Sequence, residues 1–270
     1  MPGRRLYVTD AIVLSRFDYG EADRILTLLT PEHGKLKVIA KGCRRPTSRL
    51  GGSLEPLAAL RVQLARGRTF DVVTQVSVER PWLRLRDALE PTATAWYLAE
   101  LADRSLEERH ATEPIYLLLR RAYELLDAGM APGRVARWYE MRLADELGVR
   151  PEVDRCAECT RLVTPDEPLR WVPAAGGVLC AAHPGPGQAA AGISADAVRV
   201  LKAYQRMDAE GLAALRLPTG VEREVEAALA DFLRYVLERE PRSRRFLDEV
   251  RASYRAAGEM ARAQAPFEAR

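Results

Sequence analysis

Two groups of residues carry chemistry by type and spacing. Cys156 and Cys159 form one C-x-x-C knuckle, and Cys180 with His183 forms a second after 20 intervening residues. Three thiols and an imidazole at that separation match a structural zinc ribbon, in which each knuckle gives two ligands to a tetrahedral ion. Four protein ligands close the coordination sphere, so the expected Zn2+, about one per chain, is structural and leaves no open position for an activated water. The run "AAGGVL" before Cys180 supplies a hairpin turn into the second knuckle.

The second group is a run of cations in "KLKVIAKGCRRPTSRLGGSLEP", residues 35–56. Lys35, Lys37, Lys41, Arg44, Arg45 and Arg49 occur there with no acid between Glu32 and Glu55. On a strand, Lys35, Lys37 and Lys41 point one way while Leu36, Val38 and Ala40 face a core. Lysines two apart stand about 6–7 Å from each other, close to the phosphate spacing of a single nucleic-acid strand. The arginines continue the track on a Gly-, Ser- and Pro-containing stretch that reads as a mobile loop folding over a backbone. Lysines on an edge strand also block aggregation, which accounts for two of them but not for a run of six cations. Phe17, Tyr19 and Phe70 are the aromatic candidates for stacking on bases, although their setting fits barrel core or rim better. Cys43 lies alone within the basic run and reads as a small spacer.

The elements that must position these groups follow from hydrophobic period. "YVTDAIVLSR", "RILTLLT", "KLKVIAK", "LAALRVQLARG" and "TFDVVTQVSV" read as about five short antiparallel strands, the second and third joined by a turn at "PEHGK". In the last of them Phe70, Val72, Thr74, Val76 and Val78 share one face, against Asp71, Gln75, Ser77 and Glu79. That count predicts an α+β protein whose N-terminal unit, residues 1–80, is an OB-fold barrel, with another five-stranded sandwich as the competing arrangement. After Pro81 the apolar residues recur at helical spacing. Residues 81–149 and 193–270 read as two parts of a helical domain, separated by the cysteine-bearing insertion at 150–192. Thr219 with Glu222 fits a capping box, and about the last ten residues read as frayed. Arg242, Arg244 and Arg245 in "PRSRRFL" are either a charge cluster at a helix start or a receptor for an acidic peptide.

Composition narrows the function class. At 47% hydrophobic and 29% charged residues the chain has the makeup of a globular protein rather than a disordered one. Residues 1–80 hold 14 Lys or Arg against 8 Asp or Glu, a balance of +6; a net +3 overall leaves −3 for the rest. A polyanion partner is therefore expected for the N-terminal third alone. The uncharged stretch 171–195 contains three prolines and five glycines, which excludes a membrane span, and the start shows no secretory pattern. A cytoplasmic location is expected. No Walker A, G-x-G-x-x-G or G-x-S-x-G sequence occurs, and three histidines leave little acid–base machinery, so the chain is not expected to be an enzyme. Two alternatives stay open: a zinc-stabilised nuclease using Glu21, Asp23 and Asp71, and an RNA-binding barrel with a zinc ribbon.

"YGEADRILTLLTPEHGKLKVIAKGCRRPTSRLGGSLEP" resembles the N-terminal signature of the bacterial RecO family of recombination mediators. "PEVDRCAEC" with "GGVLC", and then "RSRRFL", resemble later motifs of that family in the same order. The resemblance covers nearly the whole chain. It implies an N-terminal OB-fold, a helical body and an inserted zinc knuckle. It also implies binding of single- and double-stranded DNA, annealing of complementary strands, and loading of RecA together with RecR in DNA repair. The matched basic residues are the six named above. Arg242, Arg244 and Arg245 would receive the C-terminal tail of single-stranded-DNA-binding protein. The chain departs from the family pattern at Cys43, where Ala is usual, and at His183, where a fourth Cys is common.

Overall fold

Period-two alternation over the first 80 residues produces five strands: β1 (Leu6–Tyr19), β2 (Asp23–Thr30), β3 (Gly34–Ala40), β4 (Ala59–Ala65) and β5 (Asp71–Arg80). The computed structural model describes residues 6–183, 185 and 191–264. The strands close into a barrel in the order β1-β2-β3-β5-β4, with β4 pairing back onto β1. The expectation of an all-antiparallel set fails at one seam, where Val38 and Ile39 of β3 pair in parallel with Asp71 and Val72 of β5. A closed ring with an odd number of strands must contain at least one parallel pair, so closure itself requires that seam.

The barrel interior holds Ala11, Val13, Leu26, Leu28, Leu36, Val38, Leu60, Val62, Leu64 and Val73, among others. Leu36, Val38 and Ala40 face it as their alternation predicts. Strand β5 breaks the predicted phase, because Asp71 and Val73 point inward and Thr74 is exposed. A register shift opposite Gln63 and Leu64 then resets the strand, so that Val76 packs on the interior. The connection between β3 and β4, whose arginines are exposed, packs other residues into the barrel core. Cys43 is 3% exposed and Leu54 fully buried within its core.

Seven helices follow among the described residues: α1 (Leu83–Asp87), α2 (Leu89–Ser105), α3 (Glu113–Asp127), α4 (Pro132–Glu146), α5 (Ala195–Arg206), α6 (Thr219–Val236) and α7 (Arg242–Gln264). The expected capping box does not form. Helix α6 begins with Pro218 at its N-cap, no side chain caps it, and Thr219 already lies inside. Helix α7 continues to Gln264, beyond the start of the end predicted to fray; the rest of that end lies outside the described residues.

Between α4 and α5 a small sheet, β6 (Leu169–Val172), β7 (Gly177–Leu179) and β8 (Ala191–Ile193), takes the order β7-β6-β8. One core cluster runs from Ile12, Leu14 and Leu29 on the outer face of the barrel, through the helices, to Leu169 and Trp171. The Trp171 indole donates to the Ala228 carbonyl of α6 at 2.8 Å, tying the small sheet to the helices.

Beneath α2, α4, α6 and α7 lies a buried charge cluster. Glu226 meets Arg137 at 3.0 Å, Arg244 at 3.1 Å and also Arg251. Arg137 also reaches the fully buried Glu140, which accepts from the Tyr97 hydroxyl at 2.7 Å. Burial alone would raise the Glu226 carboxyl, but the three guanidiniums hold it below the ordinary carboxylate range. Glu100 of α2 behaves alike: burial is outweighed by the Ser243 hydroxyl and by the Ser243 and Arg242 N–H groups at the start of α7. A carboxyl lowered on folding contributes stability above its unfolded pKa, and that stability is lost as pH falls through the folded pKa. Glu226→Gln should therefore cost about 3 kcal/mol at pH 7, because it leaves three buried cations short of a counter-charge. Urea unfolding should show the gap between wild type and variant narrowing as pH falls below about 4.5; a gap that stays constant would contradict this account.

Candidate nucleic-acid interface

The second edge of β3 decides how its cations are used. Beyond the short seam with β5, that edge meets the segment after α2: Lys35 bridges to Glu108, and Arg109 N donates to the Lys35 carbonyl at 2.8 Å. Gly34 makes this approach possible, since its φ is +62° and a Cβ there would sit 1.7 Å from the His110 carbonyl oxygen.

The six predicted cations consequently divide. Lys35 donates to the Asp103 carbonyl in the last turn of α2 at 2.5 Å and pairs with the Asp103 carboxylate at 3.2 Å, leaving its side chain 13% exposed. Lys37 pairs with Glu108, and the hydrogen bond it donates to that carboxylate holds the ammonium pKa up. Arg44 pairs with Asp18 at 3.3 Å and donates to the carbonyls of Gly20 and Glu21, fastening the β1–β2 turn. Lys41, Arg45 and Arg49 are exposed and make no ion pair among the described residues. Sequence reasoning missed Arg66 and Arg68, exposed cations on the β4–β5 loop that leads into the seam with β3. Their signal was present as two arginines flanking a turn glycine.

The ladder pairings show what lies between these cations. Phe17, Ile25 and Ile39 form one row across β1, β2 and β3, with Thr27 opposite Lys37 in the row on one side. Tyr19 and Asp23 form the row on the other side, and the chain reaches Lys41 there. Ile25 and Ile39 are buried, whereas Phe17 and Tyr19 are 52% and 53% exposed and so lie outside the core. Phe70 is half-buried. The acids proposed for a nuclease do not gather. Asp71 is buried and spent on Tyr7 (2.6 Å), Gly67 N (3.0 Å) and Arg109 (3.3 Å), Asp23 accepts from Gly42 N, and Glu21 stands on the turn.

Cys156, Cys159, Cys180 and His183 do converge, with ligand atoms all within 4.8 Å of one another. The first knuckle is closed by Cys156 N donating to the Arg161 carbonyl at 2.8 Å, and the second by His183 N donating to the Cys180 carbonyl at 2.9 Å. Gly177, at φ +154°, lets β7 pass against Glu152, where a Cβ would meet the Glu152 carbonyl at 2.1 Å. The contacts are 3.3 Å from Cys180 Sγ to His183 Nδ1, 3.9 Å from Cys156 Sγ to His183 Nδ1 and 3.9 Å between Cys159 and Cys180. A tetrahedral ion with the usual zinc bond lengths sets its ligand atoms about 3.5–3.8 Å apart, so the cluster fits a metal. The hydrogen bond from His183 lowers the Cys180 thiol to about 6, which favours the thiolate that a metal requires.

The family model described as "Recombination protein O N terminal" matches residues 4–82, and "Recombination protein O C terminal" matches residues 86–245. The chain is 39% identical over 253 residues to the DNA repair protein RecO of Roseiflexus sp. strain RS-1, covering 94% of this chain and 89% of that one. It is 38% identical over 250 residues to that of Anaeromyxobacter sp. strain Fw109-5, and 34% over 245 residues to that of Dehalococcoides mccartyi strain BAV1. Those matches each cover 91% of this chain and 96% of the relative. The chain belongs to the RecO family. That family is one of DNA repair and recombination. No described helix of this RecO-family chain is long and apolar enough to cross a membrane.

The C-terminal arginines of the RecO chain take separate parts. Arg244 is buried in the Glu226 cluster, with its guanidinium 5.7 Å from the Tyr97 ring centroid, while Arg242 and Arg245 are exposed at the start of α7. Beside that cluster a cavity of about 660 Å³ is lined by Arg134, Arg137, Arg223 and Arg251 with Glu90, Glu222 and Tyr204. Arg134 Nε, Arg137 Nε and Arg251 Nη2 are buried beside it and have no hydrogen-bond partner among the described residues. Sequence reasoning missed it because its arginines come from three helices.

The division of cations is open to measurement. Lys35→Met should cost about 1.5–3 kcal/mol of stability, as it removes charge-assisted hydrogen bonds at a helix end. Lys41→Ala should stay within about 0.5 kcal/mol. Equal effects in urea unfolding would mean that Lys35 is not a structural lysine.

Proposed function

We propose that this chain is a DNA-binding recombination mediator. In this reading it grips single- and double-stranded DNA backbones, anneals complementary strands, and acts with RecR to load RecA onto coated single strands. The barrel is read as an OB-fold whose β2–β3 face and flanking loops bind DNA, the usual side for that fold. One observation carries the proposal: Lys41, Arg45 and Arg49 stand exposed beside this face without acidic partners among the described residues. Cations that grip phosphates without reading base edges suit a protein that must act on any sequence. Annealing needs screening of two polyanions rather than bond chemistry.

The acidic C-terminal tail of single-stranded-DNA-binding protein is proposed to enter the arginine-lined cavity, with Arg242 and Arg245 as outlying attractors and Arg244 holding the wall. The four guanidiniums that line that cavity support a carboxylate ligand. Cys156, Cys159, Cys180 and His183 are proposed to hold one structural Zn2+, a reading supported by the borderline-soft donor set and the closed coordination sphere. The bound ion would supply cross-linking between the two knuckles, and no reaction step passes through it.

Each phosphate contact releases condensed counterions, so the slope of log affinity against log salt counts contacts. Replacing Lys41, Arg45 and Arg49 together by Ala should flatten the slope on single strands by about two units, at roughly 0.7 per contact. Annealing should fall in parallel, with no nucleotide hydrolysis by either protein. An unchanged slope in a folded variant would refute this DNA path.

The metal reading has its own check. Protein purified without chelator should contain about one zinc per chain, and Cys156→Ser should lose it. Limited proteolysis should then cut within 150–190 while the barrel resists. Metal-free protein with intact knuckles would rule zinc out.

A further inference from the structure

We infer that Phe17 and Tyr19 form a stacking platform for unpaired bases, making this face selective for single-stranded DNA over duplex. The inference rests on the nucleic-acid reading of the barrel and adds to it a base-contacting function for strand β1. Both rings lie on one face of β1, two residues and about 6–7 Å apart, and each is about half exposed. Neither makes an aromatic pair or holds a guanidinium over its ring among the described residues, in contrast to Tyr7, Trp82, Tyr97 and Trp171.

The surroundings specify the occupant. Gly42 N donates to Asp23 Oδ1 at 2.8 Å and Arg44 N to the Ala22 carbonyl at 3.0 Å, which locks the basic segment against the β1–β2 turn beside Tyr19. Exposed Lys41 thus reaches the ladder row of Tyr19 and Asp23, and exposed Arg45 follows on the segment so locked. A ligand that puts repeated anions on those cations and flat apolar faces on those rings is a nucleic-acid single strand. Stacking tolerates any base because every base has a π face. A duplex hides those faces in its own stack, so it meets the cations alone.

The test uses the full chain, a (dT)20 strand and a 20-base-pair duplex, with affinity read by anisotropy over a series of salt concentrations and strand and duplex compared at matched salt. Phe17 covers buried Ile25 in its ladder row, so Leu replaces each ring to keep apolar cover while removing the π face. Phe17→Leu with Tyr19→Leu should weaken single-strand binding by about 10- to 100-fold. Duplex affinity should stay within about twofold, and the salt slope should not change, because no phosphate contact is lost. The exchange Phe17→Tyr with Tyr19→Phe should retain wild-type affinity for both substrates. Equal losses on strand and duplex, or no loss on the strand, would overturn the platform. If the rings prove silent while the Lys41, Arg45 and Arg49 variant still loses binding, the platform fails and the backbone interface stands. If wild type binds neither substrate, both readings fall together.

Discussion

Strand β3 has one free edge and two claimants for it. Its N-terminal half is paired by the segment after α2, through Lys35 and Arg109, and its C-terminal half closes the barrel against β5 at Val38 and Ile39. Backbone N–H and C=O groups need partners when buried, so this division fixes the barrel against the helical body and sets its closure at once. It also sorts the cations. Lysines on the shared half fall within reach of Asp103 and Glu108, whereas those past the seam do not.

Electrostatic pairing therefore explains more than local charge. The basic run is a mixture in which Lys35 ends a helix, Arg44 holds a turn, and Lys41, Arg45 and Arg49 remain available. Cations already matched to acids gain little from a phosphate, because they must first give up their partners. The same economy governs the other end of the chain. Three arginines around Glu226 are spent on joining α4, α6 and α7, and each keeps one buried nitrogen without a partner among the described residues.

The Cys3His cluster shows a different kind of coupling. Its knuckles are shaped by backbone hydrogen bonds, and the sheet that carries them buries Trp171 in the helical core while Val172 and Leu179 pack around the cysteines. The two faces of one short strand thus pack on the helical core and on the cysteine cluster.

Local rules acting through short-range periodicity were sufficient for much of this protein. The strand alternation placed Leu36, Val38 and Ala40 inside, the helical spacing found the two helical parts on either side of the cysteine-bearing insertion, and two C-x-x-C/H knuckles gave the ligand cluster. Each of these is a property of neighbours in the chain. The parallel seam, the phase reset at Thr74, the burial of Cys43 and Leu54 in the barrel core, and the partners of Lys35, Lys37 and Arg244 came only with tertiary structure. These depend on ring closure and on acids supplied from distant elements, for example Asp103, 68 residues from Lys35. A sequence shows that a cation is present; only the fold decides whether an acid has already claimed it.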